Sequence, residues 1–373
     1  MKTLAYITNA RIPTEKAHGL QIMKTCETLV DDFKITLIVP DRKNHILADP
    51  FDFYGAGQNF KIIKLWCFDF LHLNFLKRLA FWLENLTFVL SATGYLVFKK
   101  FDIYYTRDFF SALIFPFFVY PVFYEIHTLP KRGLFFHKIS WKKAKGLIVI
   151  SEGIKNGLTD YGVPQEKIII ARDAVDIEKF NIMVSKEECR AKLNLPRNEK
   201  IILYTGHLYK WKGAHIFAEA AKFLSSEVLV YLVGGTAEDT ENFRKKYLGP
   251  NLRIIGWQEP QKIPYWLKAA DLLVMPTSGK EAIGALYTSP LKLFEYMASG
   301  TPIIAADLPS VREVVSDEEV VFFKADDVDS LAKRIEESLK CQKELVDMTE
   351  RAKKQAGEHT WKKRAFVIKN FIF

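Results

Sequence analysis

Along residues 1–176 short apolar runs alternate with longer stretches whose apolar positions recur every three or four residues. The runs are "TLAYIT", "KITLIVP", "KIIKLW", "DIYYTR", "VFYEIH", "GLIVIS" and "KIIIAR". Continuous apolar runs of this length, with helical patterns between them, predict parallel strands buried on both faces. The covering helices are exemplified by "GLQIMKTCETLVDD" and "FLKRLAFWLENLTFVLSATGYLVFKK". A polar interval, residues 177–198, interrupts the alternation. It restarts with "KIILYTGHL", "VLVYLVGG", "NLRIIGW", "DLLVMP", "TPIIAAD" and "VVFF". The pattern predicts an α/β protein of two doubly wound, Rossmann-like parallel-sheet domains, residues 1–176 and 199–357, joined by a linker at 177–198. The cleft between them, at the carboxyl ends of the strands, is the expected ligand site.

Composition narrows the classes. A chain of 373 residues with 49% hydrophobic and 26% charged positions is long enough for two domains and has no compositionally disordered tract. The four cysteines, Cys26, Cys67, Cys189 and Cys341, are scattered and form no CxxC pair. Neither a disulfide framework nor a zinc cage is indicated, and a reducing cytosol fits. The opening "MKTLAYITNARIP" enters a strand directly, without a secretory leader pattern. The apolar window at 109–127 is broken by Pro116 and Pro121, and reads as a buried helix running into a buried strand. Residues 1–176 hold 23 Lys and Arg against 17 Asp and Glu, so +6 of the formal +9 lies in the first half. Anionic partners are therefore admissible.

Five clusters carry candidate chemistry. In "SPLKLFEYMASGTPIIAA", Ser289 is expected to cap a helix with Pro290 at its first position, and Gly300 and Pro302 to end it. Lys292 then stands in the first turn, where the helix dipole disfavours a cation. A phosphate bound by the first-turn backbone of residues 290–293, including Leu291, makes the lysine favourable, and Glu295, one turn on, can accept hydrogen bonds from ribose hydroxyls. A solvated Lys–Glu pair three residues apart explains the same residues. In "YTGHLYKWKG", Gly206 permits close backbone approach, and His207, Lys210 and Lys212 precede a helix near Gly213. The alternative there is a solvated basic loop. The loop "PTEKAHGLQ" offers Gly19 to a phosphate or sugar but lacks the GxGxxG dinucleotide fingerprint, which counts against an NAD or FAD enzyme. Glu125 and His127 end a strand, where catalytic groups and structural histidines both occur. Finally, "KRGLFFHKISWKKAK" at 131–145 holds six basic residues and no acid, with aromatics between them. It reads either as a patch for an anionic lipid headgroup or as an amphipathic helix with its aromatics in the core.

Together these residues resemble the retaining glycosyltransferases of family GT4, built on the GT-B fold. The resemblance runs over essentially the whole chain and is strongest from Tyr204 to Val315. "GHLYKWKG" is similar to the family's G-R-L…K-G segment, "AADLLVMP" to its "aaDvlvlPS" strand, and "SPLKLFEYMASGTPIIAADLPSVREVV" to its "LEAMAxGxPVVAs…G…E" run. "ARDAVDIEKF" is similar to its "ipNGVDxxxF" entry to the linker. The final "TWKKRAFVIKNFIF" looks like the closing helix that crosses back to the N-terminal domain, which assigns about 358–373 to the first domain.

The resemblance implies a nucleoside-diphosphate sugar held by the second domain and an acceptor held by the first. Carried over, Glu295 binds the ribose, Lys212 and Lys292 the diphosphate, His127 stands beside the transferred sugar, and Gly19 lines the sugar–phosphate pocket. Two positions depart from the family: Tyr287 stands where E-x7-E has its first glutamate, and His207 where the diphosphate arginine is usual. Glu281, in the preceding loop, is a possible substitute carboxylate. No aspartate-rich metal motif stands at a strand end, so metal-independent transfer without a cofactor is expected. The lysines would take the place of a divalent ion and a diphosphate oxygen would serve as the base. The expected partners are the sugar nucleotide, a glycan or lipid-linked acceptor and an anionic membrane surface, with no nucleic acid. The expected location is the cytoplasm, extending to the inner face of the plasma membrane. A sugar-nucleotide epimerase and a non-catalytic nucleotide-sugar sensor are the alternatives.

Overall fold

The computed structural model describes residues 1–69, 77–247, 249–341 and 343–373, with the backbone alone of residues 77–79. The chain divides into two units, Met1–Arg172 with Trp361–Phe373, and Asp173–Thr360.

All thirteen expected strand runs are strands. The first unit holds β1 (Lys2–Ile7), β2 (Phe33–Asp41), β3 (Lys61–Trp66), β4 (Ile103–Thr106), β5 (Val122–Ile126), β6 (Gly146–Val149) and β7 (Ile168–Ile170). They form one parallel sheet in the order β3-β2-β1-β4-β5-β6-β7. The central strands carry long buried runs. Leu4 to Ile7 of β1 and all of β4, β5 and β6 are buried, because helices cover both faces. The edge strand β3, "KIIKLW", instead carries Lys61 and Lys64, a charge pattern that discourages a further strand from pairing there.

The second unit holds β8 (Lys200–Thr205), β9 (Val228–Val233), β10 (Leu252–Gly256), β11 (Leu272–Met275), β12 (Ile303–Ala306) and β13 (Val321–Phe323). Their order is β10-β9-β8-β11-β12-β13, again all parallel. Residues 177–198, expected as a linker, lie inside this unit. They form the short helices Ile177–Phe180 and Lys186–Lys192, and Arg190 pairs with the buried Asp271 at 2.7 Å while donating to the carbonyl of Arg197 at 2.8 Å. A polar sequence can still be structural when its one buried cation is fully bonded.

The last helix, Trp361–Ile372, belongs to the first unit. Its Arg364 is buried, donates to Thr25 Oγ1 at 3.0 Å and pairs with Glu125 at 3.0 Å. In the 109–127 window a short helix, Phe109–Ile114, is only partly buried, and Phe117, Phe118 and Tyr120 are exposed before the buried β5. The part of the long apolar helix before Lys77 lies outside the described residues. From Lys77 to Phe98 it is helical.

Candidate functional site

Each sheet reverses its strand order once, between β1 and β4 in the first unit and between β8 and β11 in the second. Loops leaving such a pair of strands turn away from each other and open a crevice at the carboxyl edge. Both groups of candidate residues stand at these switch points.

In the second unit β8 ends at Gly206, whose φ is +135°. A Cβ there would meet Lys292 Nζ at 3.1 Å and the Tyr204 hydroxyl at 3.3 Å, so the glycine leaves the lysine its space. Lys292 is 8% exposed, its ammonium lies 3.8 Å from the centroid of the Tyr204 ring, and it has no hydrogen-bond partner among the described residues. A ring face compensates little of the hydration that a buried ammonium gives up. Burial, then the like charge of Lys212, holds the Lys292 amine well below the usual lysine range, while Glu295 pulls the other way. Lys212 is half-buried with Nζ 4.0 Å from the Trp211 ring, and burial lowers it to about 8 against the pull of Asp173. Glu295 is half-buried, and burial raises its carboxyl although Lys179 and Lys292 oppose the shift. The site therefore holds two amines that lose protons easily, and an anion bound beside them would favour their charged forms.

The helix carrying Lys292 runs from Leu291 to Ser299, and here the structure corrects the sequence reading. Pro290 is the extended flanking residue, not the first helical one, and its carbonyl accepts from the Leu293 N–H at 2.9 Å. Ser289 is not the cap. Its Oγ accepts from the backbone N–H of Asp173 at 2.9 Å, so it fastens the start of this unit to the turn before the helix. Proline has no N–H, and the first-turn donors begin at Leu291. His207 is half-buried and stacked on Tyr209 at 4.9 Å, and its carbonyl accepts from the Tyr204 hydroxyl at 2.6 Å. Tyr204 thus touches Lys292 with its ring and the His207 backbone with its hydroxyl. Glu281 is exposed. Its carbonyl accepts from the N–H groups of Gly284 and Ala285, both at 3.0 Å, and anchors the wide turn Ile283–Tyr287.

In the first unit a cavity of about 660 Å³ opens beyond β1, β2 and β4. Arg11, Lys16, His18, Arg42, Arg107 and Asp108 are in its wall. Arg107 donates to Gln21 at 3.2 Å through one guanidinium nitrogen, and its other terminal nitrogen is buried without a partner among the described residues. Burial raises the Asp108 carboxyl to about 7 although the Asn9 N–H, Arg107 and Arg42 act against the shift. Burial and then Arg107 lower His18 to about 3.

His127 follows β5 directly, with Nε2 2.5 Å from Glu125 Oε1. Burial and Arg107 lower it to about 4 in spite of Glu125, so the ring is neutral at pH 7. With Nε2–H donating to the carboxylate, Nδ1 is left as an acceptor. Glu125 is buried; burial alone would raise its carboxyl, but Arg364 and then His127 hold it well below the usual range, and Tyr105 hydrogen-bonds its other oxygen. Gly19 is different from expectation. The space of its missing Cβ is occupied by the Tyr54 hydroxyl at 2.0 Å and by Thr14 at 2.8 Å, so the glycine is required by packing inside the unit.

The sequence reading missed Arg107 and Arg364. Arg107 follows β4 as His127 follows β5, and the same strand-end rule could have found it. Arg364 reaches Glu125 from 239 residues along the chain, and no local signal marks that pairing.

Residues 185–355 match the family described as glycosyl transferases group 1. The chain is similar to the UDP-Gal:alpha-D-GlcNAc-diphosphoundecaprenol alpha-1,3-galactosyltransferase of Escherichia coli, 29% identical over 175 residues, 44% of this chain and 43% of that protein. It is also similar to the D-inositol 3-phosphate glycosyltransferase of Xylanimonas cellulosilytica, 27% identical over 170 residues, 42% of this chain and 39% of that protein. The chain thus aligns with less than half the length of these curated relatives. In fold the likeness extends over nearly the whole chain. Anabaena HepE in complex with UDP has a TM-score of 0.77 at 14% identity, covering 99% of this chain and 98% of the other. Sucrose-phosphate synthase from Thermosynechococcus elongatus has a TM-score of 0.81 at 18% identity with the same coverage. The chain therefore has the GT-B fold, two Rossmann-like units, as expected from the sequence.

Proposed function

We propose that this chain is a retaining, GT4-type glycosyltransferase that moves a hexose-type sugar from a nucleoside-diphosphate sugar to a glycan or lipid-linked acceptor. The observation that carries the reading is the ammonium of Lys292 at the switch point of the second sheet, buried without a hydrogen-bond partner among the described residues and repelled by Lys212. A diphosphate supplies the missing negative charge, and the gain grows as the bond to the sugar breaks and charge collects on the leaving oxygen. Glu295, one turn beyond Lys292, suits ribose hydroxyls. The two ammonium groups would do the work of a divalent cation, so neither metal nor cofactor enters the proposal.

Retention follows in this scheme if the acceptor attacks from the face the diphosphate leaves, with a diphosphate oxygen taking the acceptor proton. The neutral His127, fixed by Glu125, would position the transferred sugar through Nδ1. The basic cavity of the first unit would hold the acceptor. HepE has been crystallised with UDP and with UDP-glucose, which supports a sugar nucleotide as donor. The Escherichia coli relative acts, by its name, on a diphosphoundecaprenol acceptor, which supports a lipid-linked acceptor and a location at the inner face of the cytoplasmic membrane.

The test is titration calorimetry with UDP-, GDP- and ADP-sugars, followed by donor hydrolysis and transfer assays. One of these donors should bind, and Lys212→Ala and Glu295→Ala should each lower turnover by about a hundredfold with the fold retained. Full activity in both variants would remove the donor site from this unit. Binding without turnover across acceptors would make the chain a sensor, and isomerised donor sugar would make it an epimerase.

A further inference from the structure

The helix Lys77–Phe98 has two unlike faces. Toward the sheet it buries Phe88, Val89, Ala92 and Leu96, together with Glu84, which pairs with Arg42. Away from the sheet, Trp82, Leu86 and Leu90 are 52%, 54% and 60% exposed, with Phe81, Leu83, Val97 and Phe98 also exposed. Glu84 is the sole charged residue between Ala80 and Phe98, and it points inward. By length and composition Ala80–Phe98 could cross a bilayer, with a mean hydropathy of 1.2 over its most apolar window. Its inner face is committed to the core and its acid to an arginine, so it can meet a bilayer only lying flat.

The apolar surface continues. Phe68, beside the exposed Trp66, donates its N–H to Thr87 on this helix at 3.0 Å. On the other side the Trp82 ring lies 5.2 Å from Phe110, and Phe109 stacks on His137 at 3.9 Å. His137 belongs to the helix Leu134–Lys143. There the sequence reading that placed the aromatics in the core holds for Trp141 only. Phe135 and Phe136 are 69% and 53% exposed, and Lys131, Arg132, Lys138, Lys142, Lys143 and Lys145 are all exposed around them. Lys143 also reaches over the ring of the exposed Phe117 at 4.9 Å.

We infer that this face of the first unit is a docking surface for an anionic lipid bilayer. The uncharged helix face extends about 28 Å at 1.5 Å per residue, which suits a planar apolar layer. An apolar surface of this extent is rarely left open on a soluble monomer. Trp and Phe side chains partition to the headgroup boundary, and six exposed cations with no acid in residues 131–145 match a negatively charged leaflet. The surface supplies the membrane contact proposed above and rests on that part of the reading, not on the transfer chemistry.

The test is flotation of the full chain with phosphatidylcholine vesicles, alone or with phosphatidylglycerol added. The wild type should float with the anionic vesicles. Leu86→Asp combined with Leu90→Asp should lower the bound fraction by about tenfold. Lys138→Glu with Lys142→Glu and Lys143→Glu should abolish the preference for phosphatidylglycerol while the fold is retained. UDP binding, measured on the same samples, should be unchanged in both variants, so loss of UDP binding by the wild type would strike the donor reading alone. The inference is overturned if the wild type ignores both vesicles, or if the variants float as well as the wild type. It is equally overturned if sedimentation shows a dimer that the Leu86→Asp, Leu90→Asp protein loses, for then a second copy covers the face.

Discussion

The two switch points use charge in opposite ways. Below the first, Glu125 is surrounded by Arg364, His127 and Tyr105, and Arg42 is paired with Glu84, so these charges are neutralised within the unit, although Arg107 keeps one buried nitrogen without a partner among the described residues. Beside the second, Lys292 and Lys212 both have their proton affinity lowered by burial, Lys212 also repels Lys292, and Glu295 and Asp173 act in opposition. The first arrangement holds a neutral imidazole in a fixed tautomer. The second carries a standing cost that an anion relieves. Substrate positioning asks for the former, and stabilisation of a departing diphosphate for the latter.

The comparison breaks most visibly in the first unit. Glu125→Gln leaves the Arg364 charge buried without its counter-ion and should cost about 3 kcal/mol, read by chemical denaturation. Little loss would mean that the pairing is incidental. In the second unit Lys292→Met should act in the other direction on stability. Replacing a buried amine by a thioether should stabilise the ligand-free protein by about 1 kcal/mol and weaken nucleoside diphosphate binding by about a hundredfold. Destabilisation with unchanged binding would show the lysine to be part of the core.

A smaller effect is expected from pH. Lys212 sits at about 8 in the free protein, and a bound diphosphate favours its protonated form and raises that value. The complex then keeps a proton that the free protein has lost. Affinity should be full below pH 8 and fall by up to about tenfold per unit above it, until the raised value is passed. Calorimetry in buffers of different ionisation enthalpy should show proton uptake on the same side. Smallest is the effect of His127→Asn on donor binding, expected within about twofold, although transfer should fall. Since His127 is lowered to about 4, it should add no inflection to the transfer rate near neutral pH.

Much of this was legible beforehand. Strand runs such as "TLAYIT" and "VLVYLVGG" declared parallel strands because a strand buried on both faces has no place for alternating polar residues. Lys292 was conspicuous because its charge opposes the dipole of its own helix. Ser289 and Gly19 misled for one reason: a hydroxyl or a missing side chain fits a cap or a ligand loop, but equally a contact with a distant residue. Asp173 claims the one and Tyr54 the other.

Local pattern, then, determined the strands, the two-fold repetition of the sheet and the loops on which chemistry could occur, because periodicity and turn residues act over a few positions. Tertiary structure alone decided which charges are paired. The partner of Glu125 comes from the last helix, the neighbour of Lys292 from a loop eighty residues earlier, and the outward face of the Lys77–Phe98 helix from what the sheet leaves uncovered. Charge, solvation and exposure depend on distance in space, and a sequence records only distance along the chain.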